Sequence, residues 1–84
     1  MTANVGIMIG YKEPIKGSLQ TVTDKFNTIS GTLDKFGVTN RQIFAMAQGM
    51  AGDIDESKIS ALQTALQQDG FTVRRDNTFY TMKP

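Results

Sequence analysis

Val38–Met50 reads VTNRQIFAMAQGM, and the whole fold assignment turns on what this stretch forms. Thr39 and Gln42 stand at the spacing of a capping box, in which the hydroxyl caps an early helix N–H and the amide reaches back to the cap's own N–H. Ile43, Phe44, Ala47 and Met50 then fall on one side of a 3.6-residue period, and Gly49 and Gly52 close the segment. The pattern predicts a second helix over roughly residues 39–50. Met46 and Met50 read as filler of its packed side.

Upstream, Leu19, Val22, Phe26, Ile29, Leu33 and Phe36 recur in alternating steps of three and four, which predicts a first helix from Ser18 to Phe36. Ser18 is its expected N-cap and Gly37 its expected C-terminal glycine. Ser30–Gly31 interrupts it, because glycine inside a helix costs ~1 kcal/mol relative to alanine; a kink or two shorter helices follows. Residues 4–11, NVGIMIGY, are apolar and β-branched but hold two glycines. They read as a short strand or as a tail that orders on a partner, so residues 1–17 stand apart from a domain over 18–84.

Downstream, Asp53 and Glu56 form a second capping box, and Ile59, Leu62 and Leu66 face inward on a third helix that ends at Gly70. The last segment, FTVRRDNTFYTM, reads as a β-hairpin. Asp76 and Asn77 suit the positive φ values of a type I′ turn. That register sets Arg75 opposite Thr78 and Arg74 opposite Phe79. Phe71 and Val73 share the core side with Tyr80 and Met82, while Thr72 and Arg74 face solvent. A shift of one residue would instead bury Phe79.

The predicted class is α+β: three helices followed by a C-terminal hairpin, with a short N-terminal strand as an option. Over Gly37–Met82 this order resembles the winged helix-turn-helix superfamily. The resemblance rests on VTNRQIFAMAQ, DESKISALQTALQQDGFTVRR and NTFYTM, and on the LQQDGFTVRR phrase joining helix to wing. It implies a small nucleic-acid-binding protein, and a transcriptional regulator among the options. Arg74 and Arg75, with Asn77 at the wing turn, would contact the backbone of double-stranded DNA. Gln63, Thr64 and Gln67 would face bases, with Arg41 near a phosphate and Lys58, the one cation of the third helix, among the binding residues.

Charge supports a second reading. The formal net charge is only +1, and residues 53–70 set Asp53, Asp55, Glu56 and Asp69 against Lys58 alone. An acidic third helix opposes groove entry. The same fold then serves as a protein-interaction module, a small inhibitor or adaptor, using the acidic helix and the basic wing with Phe79 as anchor. A homodimer is compatible with either reading.

Other chemistry finds no residues to carry it. With no Cys and no His, thiolate and imidazole metal sites, cysteine nucleophiles and imidazole acid–base catalysis are excluded. GMAG lacks the Lys and Ser/Thr of a phosphate loop. The expectation is a non-enzyme without cofactor or metal. No apolar run approaches the ~18 residues of a membrane span, and the absence of cysteine fits a cytoplasmic setting.

Overall fold

A computed structural model describes residues 3–76. Its elements are β1 (Asn4–Tyr11), α1 (Leu19–Asn27), α2 (Ser30–Lys35), β2 (Thr39–Phe44), β3 (Gly49–Asp55), a 3-10 turn (Glu56–Lys58), α3 (Ile59–Gln67) and β4 (Phe71–Arg75). The strands form one antiparallel sheet in the order β2-β3-β1-β4. With α1 and α2 taken as one broken helix, this is the βαββαβ split arrangement of ferredoxin-like folds. The predicted winged-helix class is therefore overturned. Residues 39–55 make a hairpin of two strands in place of a second helix, and Phe71–Arg75 pairs with the N-terminal strand.

The segment at residues 4–11 is the centre of the sheet. Val5, Ile7, Ile9 and Tyr11 alternate with Asn4, Gly6, Met8 and Gly10, the two-residue period of a strand covered on one side. Antiparallel pairing sets Ile7 opposite Gly52 and Ile9 opposite Met50 on one flank, and Ile9 opposite Val73 on the other. Pairing extends past both strand ends through Glu56 N–H to Ala3 O (3.0 Å) and Asp76 N–H to Gly6 O (2.9 Å).

All helices lie on the side to which these isoleucines point. Ile7, Ile9 and Ile54 from the sheet join Phe26, Leu33, Leu62 and Leu66 from the helices, each at most 1% exposed. Fully burying such a side chain contributes roughly 1.5–3 kcal/mol. The Phe71 ring packs against Phe26 at 5.4 Å and edge-on against Tyr11 at 5.0 Å, tying β4 to α1 and to the end of β1.

Helix ends follow their local signals. Ser18 Oγ accepts from Thr21 N–H. Gly37, at φ 74°, closes α2: its N–H bonds Asp34 O and Val38 N–H bonds Leu33 O, the two bonds of a Schellman ending. The interruption at Ser30–Gly31 corresponds to two helices with a turn between them. The third helix is present, with Leu62 and Leu66 buried, but its start is corrected. Asp55 caps the 3-10 turn by accepting from Ser57 N–H, while Asp53 lies within β3.

The misread stretch has a physical cause. In Val38–Met50 the residues Ile43 and Phe44 satisfy a helical period, yet Met50 and Ile54 occupy alternate positions of a strand that pairs with β1. Tertiary pairing overrides the local capping pattern. Gly52 shows how close that packing is: a Cβ there would sit 2.8 Å from Val38 Cγ1.

Two glycines should therefore respond oppositely in urea unfolding. Gly52→Ala should lower stability by about 1–3 kcal/mol through overpacking. At Gly31 an added Cβ meets nothing within 4 Å, so Gly31→Ala should raise stability by about 0.5–1 kcal/mol. Equal effects at the two sites would contradict the described packing.

Candidate functional site

The side of the sheet turned away from the helices carries the complementary residues. From β1 come Gly6, Met8 and Gly10; from β3, Gly49 and Ala51; from β2, Gln42 and Phe44; from β4, Thr72 and Arg74. Register places them in rows. One row runs Gln42, Ala51, Met8, Arg74, and the next runs Phe44, Gly49, Gly10, Thr72. Gly6, Gly10, Gly49 and Ala51 thus surround a single long apolar side chain, Met8, whose Cε lies 3.6 Å from where a Cβ on Gly49 would stand, while Asn4, Asp53 and Asp55 bring polar groups to one end of the same side. Gly6, Gly49 and Ala51 are buried and Met8 and Gly10 half-buried, while the described helices pack against the other side of the sheet.

The β2–β3 turn continues the apolar rim. Ala47 N–H bonds Phe44 O and Gln48 N–H bonds Ala45 O, which closes the turn and leaves Met46 at its tip, 87% exposed. Gln48 fixes this end of the molecule. Its amide accepts from Ile15 N–H and donates to Ile15 O, each at 2.8 Å, which fastens the β1–α1 loop to the hairpin.

The residues expected to contact a partner are dispersed. Arg74 and Arg75 alternate across β4, so they point to opposite sides. Arg74 joins the bare surface, while Arg75 lies 3.6 Å from Glu56 on the helix side, with both side chains about half exposed. Gln63 is not free to face a base, since its Nε2 donates to Val73 O at 2.9 Å. Thr64 Oγ1 bonds Ser60 O within α3. Lys58 and Gln67 are exposed on the 3-10 turn and at the end of α3. Arg41 lies at the far edge strand and donates to Asp34 Oδ1 at 2.6 Å. Asn77 and Phe79 lie outside the described residues.

These placements overturn the expected DNA reading and also its protein-interaction variant built on a wing and an acidic helix. α3 packs along β4, and the strand meant for the wing is held in the sheet by β1. Among the described residues the expected set shares no common surface, and of these Arg74 alone belongs to the side turned away from the helices. Met8, Phe44 and Ala51 were missed, although glycines at positions 6 and 10, in phase with Met8, carry the signal.

No family model matches the chain. No curated protein matches it either. Among solved structures, the solution structure of the N-terminal domain of ZntA in the apo-form is similar, with 15% identity, 88% of this chain and 94% of that chain covered, and a TM-score of 0.46. That likeness is too slight to carry an argument about function. Among the described residues, no cluster of three or more carboxylates is placed to hold a metal, and the sequence has no Cys or His. None of the described helices is long and apolar enough to cross a membrane.

The assignment of sides has a direct check by thermal unfolding. Met8→Lys should change stability by less than about 1 kcal/mol, as for a surface position. Ile9→Lys, one residue on and 1% exposed, should cost at least about 4 kcal/mol and abolish cooperative unfolding.

Proposed function

We propose that this chain is a non-enzymatic docking module that binds another protein through the bare side of its sheet. The observation that supports this reading is the floor of Gly6, Gly10, Gly49 and Ala51, flanked by Met8, Phe44 and Arg74. A floor of glycine and alanine lets a partner's apolar groups approach the sheet closely. Burial there contributes roughly 25 cal/mol per Å² of apolar surface. Met, aromatic and Arg side chains are the types enriched at protein interfaces, and Met8 adapts its shape to what it meets. The partner fitted to this surface presents an apolar ridge with a carboxylate opposite Arg74. A cytoplasmic setting belongs to the same reading, supported by a sequence without cysteine.

Affinity capture with matched variants tests it. Ala51→Arg places a long cation in the middle of the floor and should weaken capture of a specific partner by at least about tenfold. Lys58→Glu and Gln67→Glu, on the helical side, should leave capture intact. If the helical-side variants lose the partner while Ala51→Arg retains it, the sheet surface is not the binding site. Circular dichroism of each variant separates lost binding from lost fold.

A further inference from the structure

A second site lies on the opposite side of the molecule, where the first helix breaks. Between the end of α1, the start of α2 and strand β2 there is a cleft of about 290 Å³. Its apolar walls come from Phe26, Leu33, Ile43 and Met50. Asn27, Ser30 and Arg41 supply the polar part of the lining. Phe26, Leu33 and Met50 are core residues at most 3% exposed and form its floor, with Ile43 half-buried at its wall.

Two local features make this cleft. The turn at Thr28–Ile29 ends α1 early and sets Ser30, at the start of α2, beside the cleft. Across from it, the pairing of β2 with β3 shifts between Thr39 and Gln42, with Asn40 at φ 53°. A bulge of this kind re-aims a side chain. Here it accompanies Arg41 reaching toward the helices, where Nη2 donates to Asp34 Oδ1 and Nη1 donates to Ser30 O at 3.3 Å.

We propose that this cleft binds a small carboxylic acid with a compact apolar body, held by Arg41. A guanidinium offers five N–H donors, and the two bonds above leave three for a ligand. A planar fork of donors matches a carboxylate. The Asp34 side chain is 65% exposed, and an exposed ion pair contributes only ~0–1 kcal/mol, so a ligand carboxylate can share or displace it. The volume, about 290 Å³, is just below the ~300–1,000 Å³ typical of ligand pockets, which selects one ring or a short branched chain. The site is independent of the sheet surface proposed above.

Titration of the full-length ¹⁵N-labelled chain, followed by amide shifts, tests the proposal with phenylacetate and its neutral isostere phenylacetamide. Phenylacetate should give saturable shifts centred on Asn27, Ser30, Leu33 and Ile43, with a Kd of about 1 mM, as expected for so few ligand atoms. Phenylacetamide should bind at least about tenfold more weakly, because it lacks the charge that strengthens the hydrogen bonds. Arg41→Gln should lose a similar factor, and Asp34→Asn should bind at least as tightly as wild type. Equal affinities for acid and amide, undiminished binding by Arg41→Gln, or shifts that never saturate would overturn it. Tighter binding of a short peptide ending in phenylalanine would overturn the assignment to a free small acid. If Arg41→Gln lost its native spectrum, the comparison of acid with amide on the wild-type chain would still decide.

Discussion

The structure depends on the double pairing of β1. This strand is bonded to β3 on one flank and β4 on the other, and its isoleucines Ile7 and Ile9 lie under the helices. Every residue it joins is distant in sequence: the partners lie at 49–55 and 71–75. A central strand buries its polar backbone only when both neighbours are present. The loss of either neighbour would leave its N–H and C=O groups unpaired and Ile9 uncovered. The helices serve as the lid of this arrangement, with Phe26 and Leu66 fully buried against the sheet.

That constraint explains what could be read from the sequence. Local signals were legible because they act over a few residues: Ser18 caps α1, Gly37 ends α2 with both Schellman bonds, and Leu62 and Leu66 mark the buried side of α3. Phe71 and Val73 were also placed correctly on the buried side of their strand. The hairpin β2–β3 was not legible, because Thr39 and Gln42 imitate a capping box while their actual partners, Asp53 and Ala51, sit across the sheet. The pairing of β4 with β1 was not legible either, and the strand expected at residues 78–82, with Tyr80 and Met82, lies outside the described residues. The hydrogen bonds of β4 go to a strand more than sixty residues earlier, and a turn motif next to it suggested a nearer partner.

The same geometry separates the functional surfaces. Once β1 is central, the alternation that buries Ile7 and Ile9 must put Gly6, Met8 and Gly10 on the other side. The glycines that made residues 4–11 look like a poor strand are what leave that surface smooth. Adjacent arginines in sequence likewise became opposites in space, with Arg74 on the bare side and Arg75 beside Glu56. Arg41 was singled out for a phosphate. The structure gives it an acidic neighbour in Asp34 and an apolar cleft instead.

Cross-strand nuclear Overhauser contacts from Ile9 measure the decisive feature most directly. The structure requires contacts from Ile9 to both Met50 and Val73, with strand-type rather than helical amide contacts along 39–44. A series of sequential helical amide contacts running through 39–48, with Ile9 lacking either partner, would contradict it and with it the bare sheet surface.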